Sequence, residues 1–216
     1  MKKLLSLLVV FTLLLGIIPT VSADDVLLIS PNPNSLSFAD LPQDDWSYEA
    51  VMSLAKDGII SGADGLIRPG DFITREEFAK VIILATGRVP NTGISFEAPD
   101  KDEIQPWALL YIATAFEDGL MKGYEDESVG PKNLLTRAQV ASICVKALKA
   151  NCEYTGVSFS DVEKDSWYAQ DVECAKVLGI INGYEDGTFR GDNPVTRKEA
   201  FTIIYKTKAL LDVLNS

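Results

Sequence analysis

The chain has 216 residues, three cysteines, no histidine and a formal net charge of −11 at pH 7. The absence of histidine excludes Ser-His-Asp and Cys-His catalysis as well as histidine-ligated metal sites. An acidic chain is repelled at long range by nucleic acid and by anionic membranes, so any anionic ligand must be bound by a local cluster of cations.

The first 23 residues are a predicted secretory signal peptide. Lys2 and Lys3 precede an almost purely apolar stretch at residues 4–18, and the small residues Ser22 and Ala23 follow it. The alternative is an uncleaved membrane anchor, although the stretch is shorter than the ~20 residues that a span requires. Cleavage would remove two lysines and no acid, leaving a net charge of −13. Residues 24–37, rich in Pro, Asn and Ser, are a predicted spacer.

The rest of the chain is a threefold repeat. Each copy opens on a Phe and an Asp, continues to a Trp, reaches a Gly-x-x-x-Gly pattern twelve residues after that Trp, and then carries a Thr-Arg pair. Five landmarks do not align three times by chance, so we assign the repeats to residues 38–87, 96–150 and 159–210. The landmark side chains are Trp46, Trp107 and Trp167; the second glycines Gly62, Gly123 and Gly183; and Arg75, Arg137 and Arg197.

Each repeat predicts a helix, a loop and a second helix. Apolar residues at helical spacing run from near Trp46 to Lys56 in the first repeat, and Gly58 then provides a typical helix C-cap. The Thr of each Thr-Arg pair predicts an N-cap, and a Glu or Gln three residues later completes a capping box. One repeat buries too little surface to be stable alone, so we expect three to share a core in an all-α fold. The other first helices are predicted from Trp107 to Phe116 and from Trp167 to Leu178, and the box residues are Glu77, Gln139 and Glu199.

These landmarks resemble the S-layer homology (SLH) repeat. Its signature has an opening Phe-x-Asp, a Trp, a Gly-Ile-Ile-x-Gly-Tyr-x-Asp-Gly-Thr-Phe loop and an Ile-Thr-Arg-Ala-Glu helix start. The third repeat fits best, with the loop Gly179-Ile-Ile-Asn-Gly-Tyr-Glu-Asp-Gly-Thr-Phe189. The first repeat lacks the loop Tyr. The second departs most, with an insertion before Trp107, Glu127 in place of a loop Gly, and Gln139 in place of the Glu.

The resemblance implies a pseudo-threefold helical body, secreted to the cell wall or S-layer surface. Its inter-repeat grooves would bind anionic secondary cell-wall polysaccharide, often through a pyruvate ketal on an amino sugar. The three arginines would meet the carboxylate, and the three tryptophans and three loop glycines would shape the grooves. An Arg in the first turn of a helix opposes the helix dipole, and a carboxylate ligand would explain that unfavourable placement.

Each of these assignments has a structural alternative. An Arg can instead pair with an acid of a neighbouring repeat, a Trp can belong to the core, and a Gly can serve only as a turn former. The divergent second repeat can line a degenerate groove. We expect the opening phenylalanines, Phe38, Phe96 and Phe159, to be core residues, and the Asp of each opener to tie a turn.

An enzyme is not expected. Acid pairs such as Asp100 and Asp102 could serve a glycosidase, but nearly every residue belongs to a repeat. The acidic loops offer too few oxygen ligands for calcium, so neither a metal nor a cofactor is expected. The rival hypothesis is a structural adaptor that binds another surface-array protein.

The three cysteines do not form a disulfide framework by count alone. Cys144 and Cys174 fall at apolar positions of helical patterns, where we expect small core residues. The sequence leaves open whether Cys152 is paired.

Overall fold

The computed structural model describes residues 36–90, 92–93, 95–153, 156 and 158–216, all within one structural unit, Pro33–Ser216. The predicted signal peptide and nearly all of the predicted spacer lie outside the described residues. Within the described part of the chain, no helix has the length and apolar character needed to cross a membrane.

The described residues contain six α-helices and no extended strand, which confirms the predicted all-α class. Each repeat contributes two helices, and a short 3-10 turn, Lys101–Glu103, precedes the first helix of the second repeat. The helices are α1 (Tyr48–Lys56), α2 (Arg75–Ala85), α3 (Leu109–Glu117), α4 (Arg137–Ala147), α5 (Ala169–Val177) and α6 (Arg197–Leu214).

The predicted capping boxes are confirmed at the start of α2, α4 and α6. At α2, the Thr74 hydroxyl accepts a hydrogen bond from the Glu77 backbone N–H, and the Glu77 carboxylate accepts one from the Thr74 backbone N–H. The same reciprocal pair is present at the other two helices. At the other end of the loop, Gly58 follows α1 with a φ of 72°, the left-handed conformation expected of a C-cap glycine.

The first helices begin two residues later than predicted, because each Trp lies in the turn that precedes its helix. Before α1, the Asp45 carboxylate accepts hydrogen bonds from the backbone N–H and the hydroxyl of Ser47. The Tyr48 N–H donates to the Asp45 carbonyl, which closes this turn around Trp46. Each Trp therefore lies before its helix and is not part of the apolar face of that helix.

Three segments that precede the second helices are joined in a closed ring of backbone hydrogen bonds. The Ile73 N–H donates to the Val195 carbonyl at 3.2 Å, the Val195 N–H to the Leu135 carbonyl at 2.9 Å, and the Leu135 N–H to the Ile73 carbonyl at 3.2 Å. All three side chains are fully buried. The ring therefore connects the three repeats at the centre of one continuous apolar core.

The first helix of each repeat packs against the second helix of the preceding repeat. Helix α3 packs on α2, α5 packs on α4, and α1, from the start of the chain, packs on α6. No repeat therefore has a self-contained core, as expected for a stacked repeat architecture.

The opening residues of each repeat tie its loop, as predicted. The Asp40 carboxylate accepts hydrogen bonds from the backbone N–H groups of Ile67 and Arg68 at 2.9 and 2.7 Å. The corresponding carboxylates of the other two repeats accept equivalent pairs. Phe38 and Phe159 are buried, and the half-buried Phe96 packs edge-on against Phe116.

Cys174 is buried in the core as predicted, and its sulfur also forms a disulfide with Cys152, which the sequence had left open. The two Cα atoms are 5.3 Å apart, within the normal range. Helical periodicity correctly places Cys174 on the buried face of α5, but it carries no information about which connector covers that face. Cys144 is free and buried as predicted, and burial raises the pKa of its thiol to about 12.

Candidate functional site: three inter-repeat clefts

In the part of the chain that the structure describes, three surface clefts lie between the repeats, and each is lined by residues from all three repeats. Cleft one contains the first-repeat loop with Gly62, Trp107 of the second repeat and Arg197 of the third, and has a volume of about 510 Å³. Cleft two, of about 410 Å³, is lined by Gly123, Trp167 and Arg75. Cleft three has a volume of about 170 Å³. It is lined by residues 180–182 of the third repeat, Trp46 of the first and Arg137 of the second. The predicted site residues are thus brought together, but across repeats rather than within one.

The three tryptophans are exposed, which excludes the core alternative for all of them. The exposed fractions of Trp46, Trp107 and Trp167 are 61, 45 and 65%. Lys80 Nζ lies 5.5 Å from the centre of the Trp107 ring, and Lys198 Nζ lies 5.3 Å from that of Trp46. Exposed indole rings at the rims of polar clefts are suited to stack on flat ligand surfaces.

Each Arg reaches from the start of its helix into the loop of the following repeat. Arg75 Nε donates to the Val129 carbonyl at 2.7 Å, and Arg137 Nε donates to the Phe189 carbonyl at 3.0 Å. Arg197 Nε donates to the Ile67 carbonyl at 2.9 Å, which carries the pattern from the third repeat back to the first. These bonds hold each guanidinium at the floor of a cleft.

The ion-pair alternative is confirmed for two of the three arginines. Arg197 Nη1 donates to Glu77 Oε1 at 2.8 Å, and Arg137 Nη1 donates to Glu199 Oε1 at 3.4 Å. Both acids are the capping-box residues of a neighbouring repeat, so they serve their own helix and the incoming Arg together. At the third equivalent position the box residue is the neutral Gln139.

Tyrosines from the loops flank two of the guanidinium groups. The Tyr124 ring centre is 5.0 Å from Arg75 Cζ, and the Tyr184 ring centre is 5.0 Å from Arg137 Cζ. The first-repeat loop has Ala63 at the corresponding place. Burial lowers the pKa of Arg75 from its ordinary value, opposed by the nearby Tyr124 and Asp100.

The loop glycines allow the loops to close. A Cβ atom on Gly62 would lie 2.5 Å from the Leu66 carbonyl oxygen, and one on Gly123 would lie 2.9 Å from that of Ser128. A Cβ on Gly183 would collide with the Phe159 ring. Gly62 and Gly123 also line their clefts, whereas Gly183 is not among the residues that line cleft three.

Cations and tyrosines of the clefts were not among the predicted site residues. Lys146 and Lys206 both stand nine residues after the Arg that begins their helix, and this shared spacing was a usable signal. Lys80 has no counterpart at its spacing in the other repeats, so only the structure identifies it. The missed residues are Lys80, Lys122, Lys146, Lys206, Tyr124 and Tyr184.

The model of the S-layer homology domain family matches residues 37–79, 99–141 and 158–201, together more than half of the chain. The chain belongs to the S-layer homology family. One matched SLH segment falls on each of the three repeats, and each segment contains a cleft arginine and the capping-box residue two positions after it.

Curated relatives with similar SLH sequence are larger proteins of different kinds. An endoglucanase of Bacillus sp. (strain KSM-635) is 27% identical over 94% of this chain and 22% of the relative. An S-layer protein of Bacillus thuringiensis subsp. finitimus is 28% identical over 79% of this chain and 21% of its own length. A cellulosome-anchoring protein of Acetivibrio thermocellus is 29% identical over 66% of this chain and 33% of its own length. The chain therefore spans between about a fifth and a third of these relatives.

Proposed function

We propose that this chain is a cell-surface anchoring module that binds anionic secondary cell-wall polysaccharide in the clefts between its SLH repeats. The observation that carries the proposal is the composition of the clefts. Each one combines a guanidinium group at its floor, an exposed indole at its rim and a cationic lysine on the adjacent helix, drawn from different repeats.

We infer that the three repeats are arranged around a pseudo-threefold axis, with the bounds 38–87, 96–150 and 159–210. The closed ring of backbone hydrogen bonds and the cyclic packing of first helices on second helices support this arrangement. A pseudo-threefold body would present three related clefts on its periphery. A polymer with a repeating acidic substituent could then engage more than one of them.

The chemistry of the clefts supports an acidic sugar as the ligand. A carboxylate accepts charge-assisted hydrogen bonds from a guanidinium, and each such bond contributes about 1.5–3 kcal/mol. The apolar face of a sugar ring can pack on the exposed Trp beside it. A single cleft would bind weakly, but several clefts on one polymer can increase the overall affinity by about 10²–10⁴. We propose a pyruvylated amino sugar as the unit that is bound.

The relatives' names support a location at the cell wall or S-layer surface, since they include an S-layer protein and a cellulosome-anchoring protein. Some relatives are named as enzymes, but this chain matches only 22% of the endoglucanase. We propose that the three repeats act as the anchor, without catalysis, cofactor or metal, and that secretion depends on residues 1–23.

A pull-down on purified cell-wall sacculi tests this function. The chain should sediment with intact sacculi and remain in solution after chemical removal of the polysaccharide or of its pyruvate ketals. A free pyruvylated amino sugar should compete. Binding that survives removal of the polymer and resists competition would refute the proposal and favour the adaptor that binds a surface protein.

A variant with Trp46, Trp107 and Trp167 all replaced by Ala tests whether the clefts are the binding sites. Because these side chains are exposed, the free energy of unfolding should change by less than about 0.5 kcal/mol per site. Sedimentation with sacculi should nevertheless fall at least tenfold. Equal binding by this variant would show that the clefts do not bind the cell wall.

A further inference from the structure

In clefts one and three the capping-box carboxylate divides its two oxygens between two tasks. Glu77 Oε2 accepts from the Thr74 backbone N–H, and Glu77 Oε1 accepts from Arg197 Nη1. Glu199 does the same, with Oε2 on the Thr196 N–H and Oε1 on Arg137 Nη1. The protein itself therefore supplies the carboxylate that these two guanidinium groups require.

In cleft two the same position offers a donor in place of an acceptor. Gln139 Oε1 accepts from the Thr136 backbone N–H at 3.1 Å, so the capping box is complete. The remaining polar atom of the Gln139 side chain is then its amide nitrogen, which has hydrogens to donate and cannot receive a bond from a guanidinium. Arg75 and Gln139 both line this cleft, and both need an acceptor there.

Arg75 is buried with part of its guanidinium unpaired. Its exposed fraction is 4%, Nε donates to Val129 and Nη2 donates to the Lys122 carbonyl at 2.8 Å. Its Nη1, the atom that donates to a carboxylate in the other two arginines, has no acceptor among the described residues, and no described acid lies within ion-pair distance. A buried donor without a partner is unfavourable and is rare in native structures.

The net charge of the lining residues also distinguishes cleft two from the other clefts. Cleft two carries three cations, Arg75, Lys122 and Lys146, and one acid, Asp171, whose carboxylate accepts a hydrogen bond from Ser142. Cleft one has three cations and two acids, and cleft three has two cations and one acid. In a chain with a net charge of −11, cleft two is therefore the most cationic of the three.

We propose that cleft two is the principal carboxylate-binding site of this protein, and that Gln139 determines this specificity. A ligand carboxylate there would accept from Arg75 Nη1 and from the Gln139 amide nitrogen. In the other clefts it would have to displace Glu77 or Glu199 from an existing ion pair. The inference rests on the proposed function, and it reverses the alternative, raised from the sequence, that the divergent second repeat lines a degenerate groove.

The test is an exchange of amide and carboxylate at two of the three capping boxes. Gln139→Glu places an internal carboxylate beside Arg75, and we expect at least a tenfold loss of affinity for an amino-sugar monosaccharide bearing a pyruvate ketal. Glu199→Gln is the reciprocal variant. It releases Arg137, and we expect it to bind the same probe more tightly than the wild type. Affinity is measured by isothermal titration calorimetry, with the same sugar lacking the ketal as the ligand control.

Folding does not confound the comparison, because both Glu and Gln complete the capping box in this chain. Urea denaturation should give Gln139→Glu a midpoint at or above that of the wild type, whereas Glu199→Gln should have a lower midpoint because Arg137 loses its acid. Circular dichroism before each titration checks that both variants are folded at zero urea. If the wild type binds the pyruvylated probe and Gln139→Glu binds it equally well, this proposal is overturned while the proposed function stands. A Glu199→Gln chain that gains no affinity overturns the role given to the capping residue. A wild type that binds neither the probe nor sacculi overturns both proposals.

Discussion

Arg197 Nη1 lies 2.8 Å from Glu77 Oε1, although 120 residues separate them in the chain. The contact joins the first turn of α6 to the first turn of α2, and it lies next to the hydrogen-bond ring that passes through Ile73 and Val195. Through this pair the third repeat is fastened to the first. The cleft arginines are thus part of the structure as well as candidates for ligand binding.

Arg197→Ala should lower the free energy of unfolding by about 1–3 kcal/mol, because it removes charged hydrogen bonds to Glu77 and to the Ile67 carbonyl. Urea denaturation at pH 7 measures the change. Arg190→Ala is the control: it removes an exposed ion pair with Asp186, which should contribute less than about 0.5 kcal/mol. An equal effect of the two substitutions would contradict the structural role of Arg197.

The Cys152–Cys174 disulfide should stabilise the chain by about 3 kcal/mol, because it closes a loop with a sequence separation of 22 in the unfolded state. Adding a reductant to the wild type should lower the urea midpoint, and Cys152→Ser should lower it similarly. The reductant should then have no further effect on Cys152→Ser, since Cys144 is free in either case. A wild-type midpoint that is insensitive to the reductant would show that the bond does not contribute.

Asp45 should make stability decrease in acid. Its pKa is lowered, first by the hydrogen bond from the Ser47 backbone N–H and also by Lys198 Nζ at 2.9 Å. A carboxyl whose pKa is lower in the folded state stabilises the protein above its unfolded pKa of about 3.9, and this contribution disappears as the pH falls through the folded value. Asp45→Asn should therefore reduce the difference in unfolding free energy between pH 7 and pH 3. An unchanged difference would exclude Asp45 as a source of acid sensitivity.

Local features of this protein were predictable from sequence because they depend on residues close together in the chain. The capping boxes require only positions three apart, as Thr136 and Gln139 illustrate. The helix ends at Gly58 and its equivalents depend on one residue that tolerates a left-handed backbone. The repeat landmarks themselves also identified the arginines, tryptophans and glycines that now lie at or beside the clefts.

The exposure and the partners of individual side chains were harder to predict from the sequence. A Trp two residues before an amphipathic helix is compatible with a buried or an exposed ring, and only the turn around Trp46 decides for exposure. The pairing of Cys152 with Cys174 depends on where the connector between repeats crosses α5. Whether an Arg meets an acid depends on the residue that a different repeat presents to it.

The sequence by itself determined that this protein has three helical repeats with capped second helices and one conserved set of landmark residues in each. Only the tertiary structure decided that each of the three clefts is assembled from three repeats, and that Arg75 shares a cleft with Gln139 while Arg137 and Arg197 pair with carboxylates. The physical reason is the range of the interactions. Caps and turns form between neighbours in the chain, whereas the side-chain hydrogen-bond partners of the three cleft arginines are 45 to 130 residues away and meet only after the repeats have packed.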